Sequence, residues 1–222
     1  MLIRKPEIIN QKSSSASFAV LLLAVALFVP LFLTQGIGPF DFWWWMTANL
    51  LVLLGIVSFA DPQWRHELAA DLGNRHARKA MLGLLSAVAL YGIFWLGDKA
   101  TRYLLADAAH DISAVYAFQG QAPALRIVLL MLFVIGPGEE LFWRGFLQRR
   151  LEGTLGQWSG WLSATALYAS IHLATGNPIL VLAAGVCGAF WGWLYLRYRS
   201  MFLNAVSHTV WDLVIFVLFP LG

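Results

Sequence analysis

Six ionisable residues interrupt stretches that are otherwise apolar enough to cross a bilayer: Glu139, Glu140, Arg144, His172, His208 and Asp212. Such a group in hydrocarbon costs several kcal/mol, so it marks a functional site or a partner of one by default. Glu140 and Arg144 are four positions apart and face each other on a helix, where they can pair. Glu139 is rotated by about 100° from Glu140 and has no charge partner on its own helix. The two carboxylates therefore divide: Glu140 has its charge held by Arg144, and Glu139 has the environment of a general base or acid. His208 and Asp212 are one turn apart, with Asn204 a further turn back, so the three form one stripe on which Asp212 can fix the orientation of His208. His172 follows Tyr168 by one turn in Tyr168-Ala-Ser-Ile-His172.

These groups need a scaffold, and composition names its class. The chain has 222 residues, 59% hydrophobic and 12% charged, which is too little polar surface for a soluble domain. The expectation is an all-α, polytopic transmembrane helical bundle. A span needs roughly 20 mainly apolar residues, and seven stretches qualify: about 17–34, 42–60, 81–97, 124–148, 159–175, 178–197 and 202–220. The long connection Asp98 to Pro123 mixes charges with Leu, Tyr and Ile; it reads as a surface-lying amphipathic helix or an eighth, shallow segment. The organisation is a single membrane domain, with 1–123 supplying N-terminal spans and the amphipathic connection and 124–222 supplying catalytic helices.

Orientation follows the lysines and arginines. With the N-terminus in the cytoplasm, Arg4, Lys5, Lys12, Arg65, Arg75, Arg78, Lys79, Arg149, Arg150, Arg197 and Arg199 lie inside. Only Lys99, Arg102 and Arg126 lie outside, and Arg144 lies in the membrane. The basic N-terminus and the apolar run after Ser13–Ser17 lack a small-residue cleavage site, so an uncleaved first span is expected. At about 1.5 Å per residue, Glu139 lies roughly 15 Å from an edge near Arg149, His208 comes out at about 10 Å, Asp212 at about 16 Å, and His172 at about 20 Å from an edge near Ser159. One layer, reached from the cytoplasmic side, fits these depths.

Several other chemistries lack their residues. Cys187 is the one cysteine, so no disulfide or multi-cysteine metal site exists within the chain. No His-Glu-xx-His and no Gly-x-Ser-Gly occurs, and only one aspartate of a paired-aspartate protease is present in a span. The net charge of +3 is too small to suggest nucleic acid. Gly185, Gly188 and Gly192 mark a close helix packing, and the tryptophans, Trp43-Trp44-Trp45 among them, read as interfacial anchors.

Taken together, Glu139-Glu140-xxx-Arg144, Tyr168-xxx-His172 and His208-xxx-Asp212 resemble the CAAX protease and bacteriocin-processing family (CPBP, ABI). These are intramembrane glutamic-type proteases related to the prenyl-protein protease, and the resemblance covers about 124 to 212. Tyr168 stands where phenylalanine is usual, and Asp212 where the prenyl proteases carry asparagine. The resemblance implies an intramembrane endopeptidase in which Glu139 and His172 activate water. His208, with the residue at 212, steadies the oxyanion. An ionised aspartate cannot donate a hydrogen bond, so Asp212 is expected to orient His208, which does the donating. Glu140 and Arg144 are the structural ion pair supporting the site.

The implied partners are a membrane-associated or lipid-anchored protein substrate and the lipid bilayer, in the cell membrane of a bacterium or archaeon. No cofactor is expected. The family also carries the label metalloprotease, and zinc held by Glu139, His172 and His208 is the second choice. The alternative function is a non-enzymatic membrane protein, for immunity, secretion or transport, reusing the fold.

Overall fold

The computed structural model describes residues 11–104 and 107–221. Arg4, Lys5 and the side chains of Lys12 and Ser13–Ser15 lie outside the described residues. Among the described residues the chain is all-α except for a two-stranded hairpin, β1 (Gly36–Ile37) and β2 (Phe40–Asp41), after the first helix. The helices run α1 (Gln11–Thr34), α2 (Phe42–Ala60), α3 (Pro62–Leu72), α4 (His76–Leu104) and α5 (Ala108–Tyr116). A 3-10 turn (Ala117–Gln121) leads into a helical run over Ala124–Leu155, set at 99° to the segment before it. That run is not uniform. It passes through α6 (Ala124–Leu130), a π turn (Met131–Ile135), α7 (Gly136–Glu139), a longer π segment (Glu140–Gln148) and α8 (Arg149–Leu155). Then come α9 (Gln157–Ile171) with a 3-10 end (His172–Thr175), α10 (Pro178–Tyr198), and α11 (Met201–Asp212) continued as a π turn (Leu213–Leu218).

Five of these helices are each long and apolar enough to cross a membrane, with a sixth span if the bent segments count as one. This is an integral membrane protein. The seven expected stretches are all helical, but that at 159–175 holds only the 15-residue α9 and its 3-10 end. The expected connection from Asp98 begins later than the sequence suggests, because α4 continues through Asp98 to Leu104. Asp98 is buried there and accepts from Arg102 Nε at 2.6 Å, so helical pairing one turn apart overrides the polar composition.

Each of four helix starts is closed by a side chain suited to it. Asp41 accepts from the backbone N–H groups of Trp43 and Trp44, Asp61 from Trp64, Asn177 from Leu180 and Ser200 from Leu203. These caps satisfy donors that a helix start otherwise leaves open. Trp43 is buried and donates its indole N–H to the Phe118 carbonyl at 3.0 Å, so it is core and not an anchor. Gly188 packs against Thr165 and Tyr168, and Gly192 against Trp161, which joins α10 to α9. Gly185 has open space beside it and takes no part.

The two ends of the bundle differ. At one end α3 lies across the helices: Trp64 donates to the Leu141 carbonyl at 3.1 Å, and Arg149 and Arg150 both reach the buried Asp61. Lys79 and the Phe202 N–H hold Asp71, and Arg199 meets Glu152. The opposite end carries the hairpin, α5, the 3-10 turns and the tail after α11. Tyr116 donates to the Ile215 carbonyl at 3.1 Å and Arg102 to that of Leu221 at 3.0 Å.

α7 meets α11 at close range. A Cβ on Gly136 would come within 3.0 Å of Thr209 Cα and closer still to its hydroxyl oxygen. Gly136→Ala is expected to lower unfolding stability in detergent by about 1–3 kcal/mol, the range for overpacking. Adding Thr209→Ala, which removes the hydroxyl, should recover part of that loss; additive effects of the two substitutions would refute the contact.

Candidate active site

Glu140 is fully buried and meets three donors. Arg144 Nη1 donates to its Oε1 at 2.7 Å, His208 Nδ1 to the same oxygen at 2.7 Å, and the Asn204 amide to Oε2 at 3.0 Å. The expected pair of Glu140 and Arg144 is thus present as one edge of a larger network. Asn204 also donates to the Trp191 carbonyl at 2.8 Å, so its position is fixed from α10 as well. Arg144 lies over the rings of Tyr168 and Trp191, at 4.7 and 5.5 Å from their centroids. A guanidinium between two aromatic faces keeps favourable contacts where water is absent.

His208 is held on several sides. Its ring stacks on Trp191 with centroids 3.7 Å apart, and Nδ1 bonds to Glu140. That carboxylate, already paired with Arg144, only accepts, so Nδ1 carries a proton. The other nitrogen, Nε2, faces Asp212 Oδ2 at 3.5 Å. The stripe Asn204, His208, Asp212 therefore exists as expected, but its firmest tie runs to Glu140 on another helix. Trp191 is itself fixed: its indole donates to Ser207 Oγ at 3.1 Å, and Ser86 of α4 donates to that oxygen at 2.9 Å.

Glu139 faces elsewhere. Its Oε2 accepts from the Tyr168 hydroxyl at 2.8 Å. His172 sits where α9 becomes a 3-10 turn, and its Nδ1 donates to the Tyr168 carbonyl at 2.8 Å. A carbonyl only accepts, which leaves His172 Nε2 unspent. Its ring rests between Phe32 and Tyr168, at 4.6 and 5.0 Å. Glu139, His172 and Asp212 all border one cavity of about 340 Å³; His208 sits behind Asp212 and does not border it.

The rest of the cavity wall is almost wholly apolar, from Phe32, Met46, Ile135, Val186, Ile215 and their neighbours. Its far wall is built from Thr101, Tyr116, Ile179 and Leu221. These lie at the end of the bundle away from Arg149. At the Arg149 end α3 is tied across the bundle by Trp64, and by Asp61 to Arg149 and Arg150.

Residues 121–214 match the model of the Rce1-like family, described as type II CAAX prenyl endopeptidase Rce1-like. That stretch of the chain is similar to the Rce1-like family. No curated protein and no solved structure matches the chain. All six ionisable residues of the spans fall inside the Rce1-like stretch, together with Tyr168, Trp191 and Asn204. The family is one of endopeptidases, in keeping with a carboxylate and an imidazole at a cavity wall.

The donor set does not fit zinc as it stands. Among the described residues no three His, Cys, Asp or Glu side chains gather as a metal-holding group. Both ring nitrogens of His208 are directed at carboxylates, Nδ1 at Glu140 and Nε2 at Asp212.

Two roles escaped the sequence. Tyr168 is visible only as an aromatic before His172, and its hydroxyl proves to be the donor to Glu139. Trp191 has no sequence signal at all, since only the folded approach of α10 to α11 puts it on His208.

Two outcomes follow from these contacts. Arg144→Ala strands a buried carboxylate and should cost about 3–5 kcal/mol, seen as a lower unfolding midpoint in detergent; an unchanged midpoint would remove its structural role. Tyr168→Phe keeps the ring and removes one bond to a carboxylate, worth about 1.5–3 kcal/mol. It should lower the unfolding midpoint less than Arg144→Ala does and slow turnover roughly tenfold or more, measured beside the wild type on the same substrate.

Proposed function

We propose that this chain is an intramembrane endopeptidase that hydrolyses a peptide bond in a membrane-associated or lipid-anchored protein, using water activated by Glu139 and His172. The observation that carries this reading is Glu139, with one oxygen held by Tyr168 and the other uncommitted, at the wall of an apolar cavity it shares with His172 and Asp212. A water between Glu139 and His172 Nε2 gives its proton to the glutamate as its oxygen attacks the scissile carbonyl carbon. Glu139 then passes the proton to the leaving amine as the C–N bond breaks.

The developing oxyanion needs a donor. Asp212 borders the cavity and His208 lies behind it, so the donor is Asp212 and not His208 as expected: protonated Asp212, with Oδ2 facing His208 Nε2, donates from its other oxygen to the oxyanion. Glu140 fixes the other side of that imidazole, and its own charge is balanced by Arg144. The apolar wall excludes bulk water, which strengthens each of these interactions. In this reading the chain's own side chains suffice, and no metal takes part.

Glu139→Gln keeps size and hydrogen bonding but loses the basic oxygen, so turnover should fall by at least about 100-fold. The measurement is a comparison of new protein termini in membranes of cells carrying wild-type or Glu139→Gln protein. Termini produced equally by both would end the proposal. Asp212→Ala should lower turnover by about 100-fold or more, the size of a lost oxyanion donor. Asp212→Asn carries a donor of its own and should retain more activity than Asp212→Ala. If the two are equally inactive, residue 212 does not serve the oxyanion by donating. Processing by purified protein should also survive chelation; loss of bound zinc together with activity would install a metal instead.

A further inference from the structure

The geometry points to a substrate route from the side of the membrane opposite the basic end: an extended apolar polypeptide segment enters between α4 and α10, beneath α5. This rests on the peptidase reading for its last step, the arrival of a peptide bond at Glu139. Its entry is argued from the cavity alone.

The cavity is bounded on one side by Ile93, Gly97 and Thr101 of α4 and on the other by Ile179, Leu182 and Ala183 of α10. Ile93 and Leu182 are 44% and 54% exposed, so the gap between these helices meets the lipid. Across its top lie Ile112, Val115 and Tyr116 of α5, which packs on α10. Asp98 and Thr101 stand at the outer rim, where Arg102 pairs with Asp98 at 2.6 Å. Inward of this rim the only ionisable groups on the wall, among the described residues, are Glu139, His172 and Asp212.

Such a wall selects its occupant. A charged or folded partner would leave polar groups unpaired against apolar surface. An extended apolar segment loses little, and it brings to the inner end one amide whose polar atoms find the three groups there. The volume of about 340 Å³ is at the low end for binding pockets, which limits the occupant to a short stretch of chain.

The side follows from charge. Arg65, Arg75, Arg78, Lys79, Arg149, Arg150, Arg197 and Arg199 belong to the closed end, and Lys99, Arg102 and Arg126 to the end where the cavity opens. Basic residues near span ends stay in the cytoplasm. The route therefore starts from the extracytoplasmic half of the bilayer, and the cleaved bond belongs to a segment presented there.

Gly97 gives a direct test, since a side chain built on it meets no atom within 4 Å. The full chain with Cys187→Ala and Gly97→Cys is expressed in cells and treated with a membrane-impermeant maleimide carrying a mass tag. The tag should add to intact cells, and Leu155→Cys at the basic end should react only in inside-out vesicles. Ile93→Cys repeats the measurement should Gly97→Cys fold poorly. Reaction of the Gly97→Cys and Ile93→Cys proteins only in inside-out vesicles, or from neither side, overturns the route.

Labelling should also abolish processing in Gly97→Cys protein and leave that of Leu155→Cys intact; processing that survives full labelling at position 97 overturns it too. The readouts separate the two readings. Labelling from outside with termini unaffected by Glu139→Gln keeps the route and rejects the peptidase, whereas labelling from inside alone rejects the route whatever Glu139 does.

Discussion

Everything at the centre of this bundle depends on one buried carboxylate. Glu140 has no access to solvent, and a charge so placed is tolerable only if donors surround it. Arg144 supplies the countercharge from the same helical run, and Asn204 and His208 supply hydrogen bonds from α11. Because two of the three donors come from another helix, satisfying Glu140 also docks α11 against the run that carries the glutamates. The small contact at Gly136 and Thr209 sets how closely the two can approach. His208 is oriented as a by-product, and Trp191 closes over it.

The neighbouring carboxylate serves the opposite purpose, and the local helix geometry keeps them apart. Pro137 has no N–H to give and obstructs the preceding turn. The run answers with a π turn just before Gly136 and a second π segment from Glu140 onward. Such widened turns favour functional positions because they redirect side chains within an otherwise continuous helix. Glu140 is directed to α11 and Glu139 to α9, where the Tyr168 hydroxyl is its hydrogen-bond donor. One glutamate is fully committed to structure, and its neighbour retains an oxygen for chemistry.

How much of this could be read beforehand follows from the range of each interaction. The pairing of Glu140 with Arg144 and the stripe through Asn204, His208 and Asp212 are set by spacing along one helix, and both were legible. The bond from His208 to Glu140 joins positions 68 apart in the chain and leaves no periodic trace. Trp43 illustrates a related limit: its place beside a loop suggested an interfacial anchor, while the partner that buries it, Phe118, lies in a different segment. The helix α4 runs past its apolar stretch because Asp98 and Arg102 neutralise each other one turn apart, which a hydropathy reading counts as two penalties. The hydroxyl of Tyr168 was in view but had no assigned partner, since Glu139 and Tyr168 meet only across two helices.

The direction of access was the least legible feature, for a reason that also bears on the chemistry. Distance along a helix locates a residue between two edges but does not say which edge is sealed. Here α3 seals one, with Asp61 buried under Arg149 and Arg150 and Trp64 tied to the Leu141 carbonyl. In the proposed reading, a base at the inner end of this cavity receives peptide and water by the same route. The apolar wall disfavours water except where polar groups hold it, and those groups are Glu139, His172 and Asp212. In that reading a water that reaches them is already placed for attack, and a peptide that enters leaves little room for others. Closure of the basic end, more than any feature of the mouth, is what makes that selection work: a second opening there would hydrate Glu139 and weaken each interaction that positions it.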